Sequence, residues 1–369
     1  MRILVVTTWF PTEENPAFTP FIPRHVEAIG RDHEVHVVHV RLLNSEPVRS
    51  ATVGGFLVSR VGCDPRHPLS LVRTVREIRR WARSADLVHT MAFSSTLVAA
   101  AAVRGTPWVH TEHWNGVVHP DTVGPLWERT AWLRHVLRLP TLVTGVSSLV
   151  NRVLQDFARP GRVRPLGNVV EFAGEPQEKG RSADEVALVG VGSLIPRKGP
   201  VLAVETVAWL REHGVRASLV WDGTGPLLEE ARARALALGV ERHVVFNGHR
   251  EPDEVRDDLA AADLFLLPTL SETFCVAAAE ALAAGRPVVM GARGGQRDFI
   301  TTANGRLVEE QSPEAYGRAV MEVLSGEGIG SPDELADGIR ARYGPETVAD
   351  QVSALYEEAV RLHGGRRTS

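Results

Sequence analysis

The stretch Leu264-Phe265-Leu266-Leu267-Pro268-Thr269-Leu270-Ser271-Glu272-Thr273-Phe274-Cys275-Val276-Ala277-Ala278-Ala279-Glu280-Ala281-Leu282-Ala283-Ala284-Gly285 decides the fold. Its first four residues are all apolar, as in a strand covered on both faces. Pro268 stops that run and a short polar loop follows. An alanine-rich segment of high helix propensity then begins near Thr273 and ends at Gly285. A second apolar run, 287–290, follows directly, so the segment reads as one strand–helix–strand unit of a parallel sheet.

The same alternation extends in both directions. In the first half, strands are predicted at 2–7, 34–40, 86–90, 108–111 and 142–146, with helices at 23–30, 69–84, 94–104, 126–137 and 148–157. In the second half, strands are predicted at 186–190, 217–221, 243–246, 263–267 and 287–290, with helices at 201–213, 227–238, 252–261, 276–284 and 313–324. Between the halves, 170–185 is polar, has no period and contains Gly174, Pro176 and Gly180, the marks of a linker. The chain is therefore α/β, with two Rossmann-like doubly wound domains at 1–169 and 186–344, a linker at 170–185 and a last helix at 345–363. Ligands of open parallel sheets bind beyond the carboxyl ends of the strands. Two sheets facing across a cleft imply two ligands, one for each half.

Composition narrows the class. Of 369 residues, 44% are hydrophobic and 23% charged, which excludes a disordered or fibrous chain. The longest apolar run, 97–103, is far below the roughly 18 residues that cross a bilayer. Residues 1–7 read as a first strand rather than a cleaved leader, and two distant cysteines, Cys63 and Cys275, suggest a reducing, cytoplasmic setting. Residues 1–170 carry 20 Lys+Arg against 13 Asp+Glu, a net of +7, while 171–369 carry 21 against 32, a net of −11. A basic first half suits an acidic substrate or an anionic surface, or is simply solvated; nucleic acid is not expected.

The polar residues that carry chemistry fall at predicted strand ends. The amides of Thr273, Phe274 and Cys275 would be first-turn donors at the positive end of a helix dipole, which attracts phosphate. Glu272 lies at that cap, and Glu280 lies roughly 12 Å further along the axis. Two carboxylates so spaced could hold sugar and ribose hydroxyls; an ordinary cap and a solvated helix glutamate are the competing reading. Ser193, Arg197 and Lys198 lie in the Gly192–Gly199 loop, where cations could face phosphate or form a surface turn. Gly223, in Trp221-Asp222-Gly223-Thr224-Gly225, could let backbone approach phosphate or serve a plain turn. Arg250 could stack on a base or be a rim charge. His113 follows the strand at 108–111. His110, His113 and His119 do not close a metal-ligand set, and the chain has no Asp-x-Asp pair, so no metal is expected. Cys275 is a thiol that a helix dipole could activate or a small residue that fills space. Arg73, Arg76, Arg80 and Arg83 recur at helical spacing opposite Leu71, Val75, Ile78 and Ala82, either as a solvated face or as a contact with anionic membrane.

Together these segments resemble the retaining GT-B glycosyltransferases of glycosyltransferase family 4. Glu272…Glu280 is similar to the family's E-x7-E signature, 191–199 to V-G-R-L-x-x-x-K-G, and Thr111-Glu112-His113-Trp114 to its first-domain histidine motif. Phe246–Gly248, 263–268, Glu280–Val289, Val146-Ser147 and Asn168-Val169-Val170-Glu171 also look like family segments, so the resemblance covers nearly the whole chain. It implies a GT-B fold in which the last helix crosses back onto the first domain. It also implies a sugar moved with retention, without metal, from a nucleoside diphosphate sugar to an acceptor, UDP being the first expectation for the nucleotide and GDP the second. In that scheme Glu280 binds ribose and Glu272 contacts the donor sugar. Lys198 neutralises the diphosphate with the amides of 273–275, Arg250 lies against the base, and His113 touches the donor sugar. Three departures stand out. Ser193 replaces an arginine, with Arg197 as its substitute; Thr273 and Cys275 replace glycines; and the loop 9–20 has none. The rival readings are a nucleotide-binding protein of this fold without transferase activity and a sugar-nucleotide epimerase. A Rossmann oxidoreductase would need a glycine fingerprint after the first strand, and 7–20 contains no glycine.

Overall fold

A computed structural model describes residues 1–12, 19–172 and 185–364. The middle of the first loop, most of the expected linker and the expected frayed tail after Gly364 lie outside the described residues. The chain divides into two compact units: Met1–Val169 with Pro345–Ser369, and Val170–Gly344.

The first unit is built on β1 (Arg2–Thr7), β2 (Glu34–Leu42), β3 (Arg49–Val53), β4 (Phe56–Cys63), β5 (Leu87–Met91), β6 (Trp108–Glu112), β7 (Leu142–Gly145) and β8 (Val163–Pro165), in the order β3-β4-β2-β1-β5-β6-β7-β8. All neighbours are parallel except β3, which pairs antiparallel with β4. Side chains of a strand alternate between faces. Ile3 and Val5 accordingly pack with helices Phe21–Gly30 and Pro345–Gly364 on one face, through Ile22, Val26, Val348 and Val352. Leu4 and Val6 pack on the other face with Ile78 and Ala82 of helix Pro68–Ala82 and with Ala99 of helix Phe93–Ala99. The last helix is fastened by Tyr356, fully buried with its hydroxyl 2.8 Å from His89 Nδ1, and by Glu358, whose carboxylate accepts from Arg164.

The second unit holds β9 (Val186–Val191), β10 (Ala217–Asp222), β11 (Val244–Gly248), β12 (Leu264–Leu267), β13 (Val288–Gly291) and β14 (Gly305–Val308), all parallel, in the order β11-β10-β9-β12-β13-β14. The order reverses between β9 and β12, so the ends of these two strands form its topological switch point.

Several expectations are corrected. The β3–β4 hairpin, turning at Gly54 and Gly55 with φ +56° and +82°, was not expected, because an exposed edge strand shows no apolar alternation. The strands β8 and β14 and the helix Pro332–Tyr343 were also unforeseen; that helix is started by a capping box between Ser331 and Glu334. The helix expected at 94–104 ends at Ala99, and that expected at 126–137 is an α-helix only over Pro125–Thr130, tightening to 3₁₀ over Ala131–Arg138. The alanine-rich helix begins at Val276, as its expected span of 276–284 has it, so the segment's start near Thr273 lies in the loop before the helix. Phe274 is drawn into the core against Phe299 and Tyr343, at ring distances of 5.1 and 5.0 Å, and Cys275 turns the chain with φ +74° before the helix starts.

Candidate functional site

The strand ends of the second unit bring three loops together. Gly192 N donates to Asp222 O at 2.9 Å, Gly223 N to Gly248 O at 2.7 Å and Leu194 N to Thr224 O at 2.9 Å. A Cβ on Gly223, whose φ is +143°, would lie 2.1 Å from Gly192 O, so this glycine is required for the close approach of two backbones. Ser193 is exposed on the loop after β9.

The end of β12 carries the charges. Glu272 is buried, at 5% exposure, and its Oε1 gathers three donors: Lys198 Nζ at 2.6 Å, Thr269 Oγ1 at 2.8 Å and the Arg197 guanidinium at 3.2 Å. Arg197 also donates to Ser271 O at 2.7 Å, which ties the loop after β9 to the loop after β12. Burial by itself would raise the Glu272 carboxyl, but the two cations more than offset it and hold the group below the usual carboxylate value. It is therefore an anion at neutral pH, with one oxygen fixed by the protein and the second oxygen's acceptor capacity available to a ligand. Lys198 and Glu272, assigned separately from the sequence, are one ion pair, and Thr269 is a member that the sequence reading missed.

The helix that follows corrects the predicted phosphate donors. Its first-turn amides are those of Val276, Ala277 and Ala278, while Thr273, Phe274 and Cys275 belong to the loop before it. Glu272 is thus not a helix cap; its backbone bridges to the loop at 293–295, with Gly295 N donating to Glu272 O at 2.9 Å. Glu280 lies half-buried on the helix, one turn before its end. Cys275 is buried and its thiol is pushed up to about 12, by burial first and by the Glu272 charge second, which leaves it an unreactive space-filler.

Arg250 is committed to carboxylates of its own neighbourhood. Its Nε and Nη2 donate to Asp258 Oδ2 at 3.1 and 3.0 Å, and Nη1 donates to Glu254 Oε1 at 2.9 Å. Any stacking on a base would use the face of the guanidinium, since its edges are engaged. Beside it, Asp222 accepts from Asn247 Nδ2 at 2.8 Å, and burial and the nearby Asp258 push its carboxyl up to about 6.

In the first unit, β6 ends in a buried polar network. Glu112 Oε1 accepts from the backbone N–H of His113 at 2.9 Å and of Trp114 at 2.8 Å, and Oε2 accepts from His110 Nε2 at 3.2 Å. His113 Nδ1–H donates to Asn168 Oδ1 at 3.0 Å, which leaves Nε2 as the acceptor nitrogen. The ring packs against Phe21 at 5.0 Å and His25 at 5.3 Å. Burial first, and then His25 and His110, push it well below the usual imidazole value, so it is neutral. Neither Glu112 nor Asn168 was singled out from the sequence, although both stand inside quoted motifs. Among the described residues no group of three His, Cys, Asp or Glu side chains could hold a metal ion, and no helix is long and apolar enough to cross a membrane.

The fold is that of the GT-B glycosyltransferases. Residues 172–342 match the family model for glycosyl transferases group 1 and residues 22–173 match that for glycosyltransferase family 4. The chain is 31% identical over 313 residues to the D-inositol 3-phosphate glycosyltransferase of Acidothermus cellulolyticus, covering 74% of this chain and 67% of the relative. Its fold superposes on sucrose-phosphate synthase from Thermosynechococcus elongatus with a TM-score of 0.77, at 20% identity over 97% of this chain and 99% of that one. Anabaena Alr3699/HepE in complex with UDP-glucose gives a TM-score of 0.75, at 17% identity over 97% of this chain and 100% of that one. The chain belongs to the GT-B glycosyltransferases of the group 1 and family 4 type, and it is a glycosyltransferase.

Proposed function

We propose that this enzyme moves a sugar from a nucleoside diphosphate sugar to an acceptor hydroxyl with retention at the anomeric carbon and without a divalent metal. UDP is the first candidate nucleotide, and GDP the second. The observation that carries the reading is the Glu272 carboxylate: buried, ionised, and anchored through one oxygen by Lys198, Arg197 and Thr269 beside the switch point of the second sheet. Glu272 takes hydroxyls of the donor sugar and Glu280 those of the ribose. Lys198 and Arg197 stand within reach of the same locus as counter-charges for the diphosphate, and the Val276–Ala278 amides add the helix dipole. His113, neutral and locked in one tautomer, accepts from a sugar hydroxyl. The bond from the anomeric carbon to the diphosphate breaks as the acceptor oxygen attacks from the same side, and the acceptor's proton passes to the departing phosphate oxygen. Both cysteines are unpaired and buried, as suits a reducing, cytoplasmic compartment.

The test is a thermal-shift screen with UDP, GDP and their sugars, followed by NMR of the anomeric proton in the product. A shift with one nucleotide diphosphate and a retained configuration support the reading. An inverted product, or activity abolished by chelation, overturns it. Ser193, Thr273 and Cys275, at positions where the family carries arginine and glycine, favour as second reading a nucleotide-binding protein without turnover; transfer or hydrolysis of the donor by the purified chain eliminates that rival.

A further inference from the structure

Arg49 and Arg60 stand directly opposite each other on the antiparallel pair β3–β4. Residues so placed project to one face with Cβ atoms roughly 5 Å apart, and like charges there are destabilising. A third arginine joins them. In the parallel pair β2–β4, His39 lies beside Arg60 and Arg41 beside Gly62, so Arg41 shares that face two residues further on. The three arginines line one cavity of about 300 Å³, whose walls also include Thr12, Glu46 and Ser50.

Their charges are not balanced within it. Glu46 accepts from Arg41 Nη1 at 3.0 Å. Arg60 donates through Nη2 to a backbone carbonyl, Pro11 O at 3.0 Å, and its buried Nε–H meets no acceptor among the described residues. The Arg49 side chain is exposed and has no ion-pair or hydrogen-bond partner among the described residues. The cluster's field is felt next door: His39, 3% exposed, is pushed down to about 4 by burial first and then by Arg60 and Arg41. Buried polar groups ordinarily find partners, and local departures from such rules concentrate at functional sites.

The wall of the cavity is built into the chain. The connection from β2 to β3 folds across β4 near its end, where a Cβ on Gly62 would lie 2.6 Å from Glu46 N and 2.7 Å from Asn44 O, so only glycine admits it. Asn44 Oδ1 accepts from Glu46 N at 2.7 Å, and Glu46 O accepts from Gly62 N at 3.3 Å and from Arg73 Nη1 at 2.9 Å. The volume falls at the lower end of ligand pockets. The cavity is separate from the transfer locus. At about 4.8 Å per strand, Arg41 on β2 is about 14 Å and Arg60 on β4 about 19 Å across the sheet from β6, the strand that leads to His113.

We propose that this cavity is an anion-binding site in which Arg49, Arg60 and Arg41 take a phosphate or carboxylate group. Two facing guanidinium forks match the oxygens of such a group in pairs, and the bound anion turns their repulsion into a shared attraction. A neutral ligand would leave the repulsion in place. The group has two sources. One is an acidic substituent of the acceptor, remote from the hydroxyl that reacts; an acceptor reaching both points is an extended molecule rather than a single sugar. The other is a free phosphate compound acting as an effector. The site stands apart from the transferase reading, and only the first source rests on it.

The test is calorimetric titration of inorganic phosphate into the full chain, with ionic strength held constant by chloride, on the wild type, Arg49→Ala, Arg60→Met and Lys198→Met. One phosphate is expected at this site, with a Kd on the order of 1 mM. Arg49→Ala weakens it at least about tenfold, the loss of one charge-assisted contact, and Arg60→Met does the same. Lys198→Met, which removes a cation from the nucleotide locus, leaves this affinity within about twofold. Because Arg49 is exposed and unpaired, Arg49→Ala folds: without phosphate its Tm is no lower than that of the wild type, and phosphate no longer raises it. No phosphate binding, wild-type affinity in Arg49→Ala, or binding lost only in Lys198→Met overturns the inference. Sugar-nucleotide turnover separates the sources. A KM raised at least about tenfold by Arg49→Ala for oligosaccharides ending in a uronic acid, but not for neutral ones, puts the group on the acceptor. A phosphate-dependent rate with a neutral acceptor, lost in Arg49→Ala, makes it an effector. Phosphate binding without turnover of any sugar nucleotide leaves the site standing and removes the transferase reading instead.

Discussion

Glu272→Ala strips Lys198, Arg197 and Thr269 of the oxygen they share and leaves Lys198, whose side chain is 15% exposed, as a nearly buried cation. Removing one partner of a buried pair costs about 3–5 kcal/mol. The remaining access of Lys198 to water puts the expected loss near the lower bound, at about 3 kcal/mol. For a unit of this size each 1 kcal/mol moves Tm by roughly 2–4 °C, so a drop of roughly 6–12 °C is expected. Lys198→Met is milder, because Arg197 still reaches the carboxylate at 3.2 Å. The double variant removes both charges and recovers at least about 2 kcal/mol of the summed losses. Nucleotide binding separates the partners further. Lys198→Met loses a charge-assisted contact worth about 1.5–3 kcal/mol, roughly 10- to 150-fold in the Kd of the matching nucleoside diphosphate. Glu272→Ala releases Lys198 for phosphate, so nucleotide affinity holds while turnover collapses. The measurements are chemical denaturation of the four proteins of the cycle, calorimetric binding of UDP or GDP, and turnover. Additive losses in the cycle, or a Lys198→Met variant that binds the nucleotide as tightly as the wild type, would refute the reasoning.

Glu280→Ala is expected to raise donor KM about tenfold with little change in kcat, the cost of one hydrogen-bonded ribose contact; equal losses in both would place it in the chemistry instead. Glu112→Ala unties two backbone amides and His110, so turnover falls by about two orders of magnitude with a modest loss in Tm, whereas Glu112→Gln keeps the amide acceptor and most of the rate. Asp222→Asn tests the carboxyl pushed up to about 6. A raised acid binds its proton more tightly when folded, so its stabilisation is full below about pH 4 and is lost as pH rises through about 6; the Asn variant gains Tm over wild type at pH 8 and gains none at pH 4. Cys275, with its thiol at about 12, stays unmodified by a thiol reagent at pH 8 until the protein unfolds, as intact-mass analysis will show.

Where burial dictated the pattern, the fold was legible. β1 and the helix Ser148–Phe157 fall where the apolar pattern puts them, because strands covered on both faces and amphipathic helices leave their period in the sequence. β3 did not show itself, because four of its five residues are exposed and an uncovered edge imposes no period; only the Gly54-Gly55 turn betrays it. Helix Val276–Ala283 fell within its expected span, but the amides of 273–275 were counted into its first turn because nothing in the identity of Cys275 announces a positive φ; a glycine there would have done so. At the site, residue identities were legible and partnerships were not. Lys198 and Glu272 are 74 positions apart, and no local pattern reports that one neutralises the other. The tie from Glu112 to the His113 backbone spans adjacent residues, yet a buried carboxylate turned back on its own chain looks in sequence like any polar residue at a strand end.

One signal lay unused in the composition. Of 41 basic residues, only Lys179 and Lys198 are lysines. A chain that supplies arginine at nearly every cationic position and lysine at this one is meeting a steric demand rather than a demand for charge. The structure shows the demand: the Lys198 stem runs beside Gly192, with Cδ and Cε each 3.4 Å from where a Cβ would stand, and its ammonium ends 2.6 Å from Glu272. A planar guanidinium with five donors could not end on that single oxygen without displacing Arg197, which already holds it at 3.2 Å and spends another bond on Ser271 O. The compact ammonium fits in the remaining space and keeps three rotatable donors, so it can turn toward a phosphate without leaving the carboxylate. Lysine at 198, glycine at 192 and glutamate at 272 are therefore one steric and electrostatic solution, and substitution at any one of them changes what the other two can do.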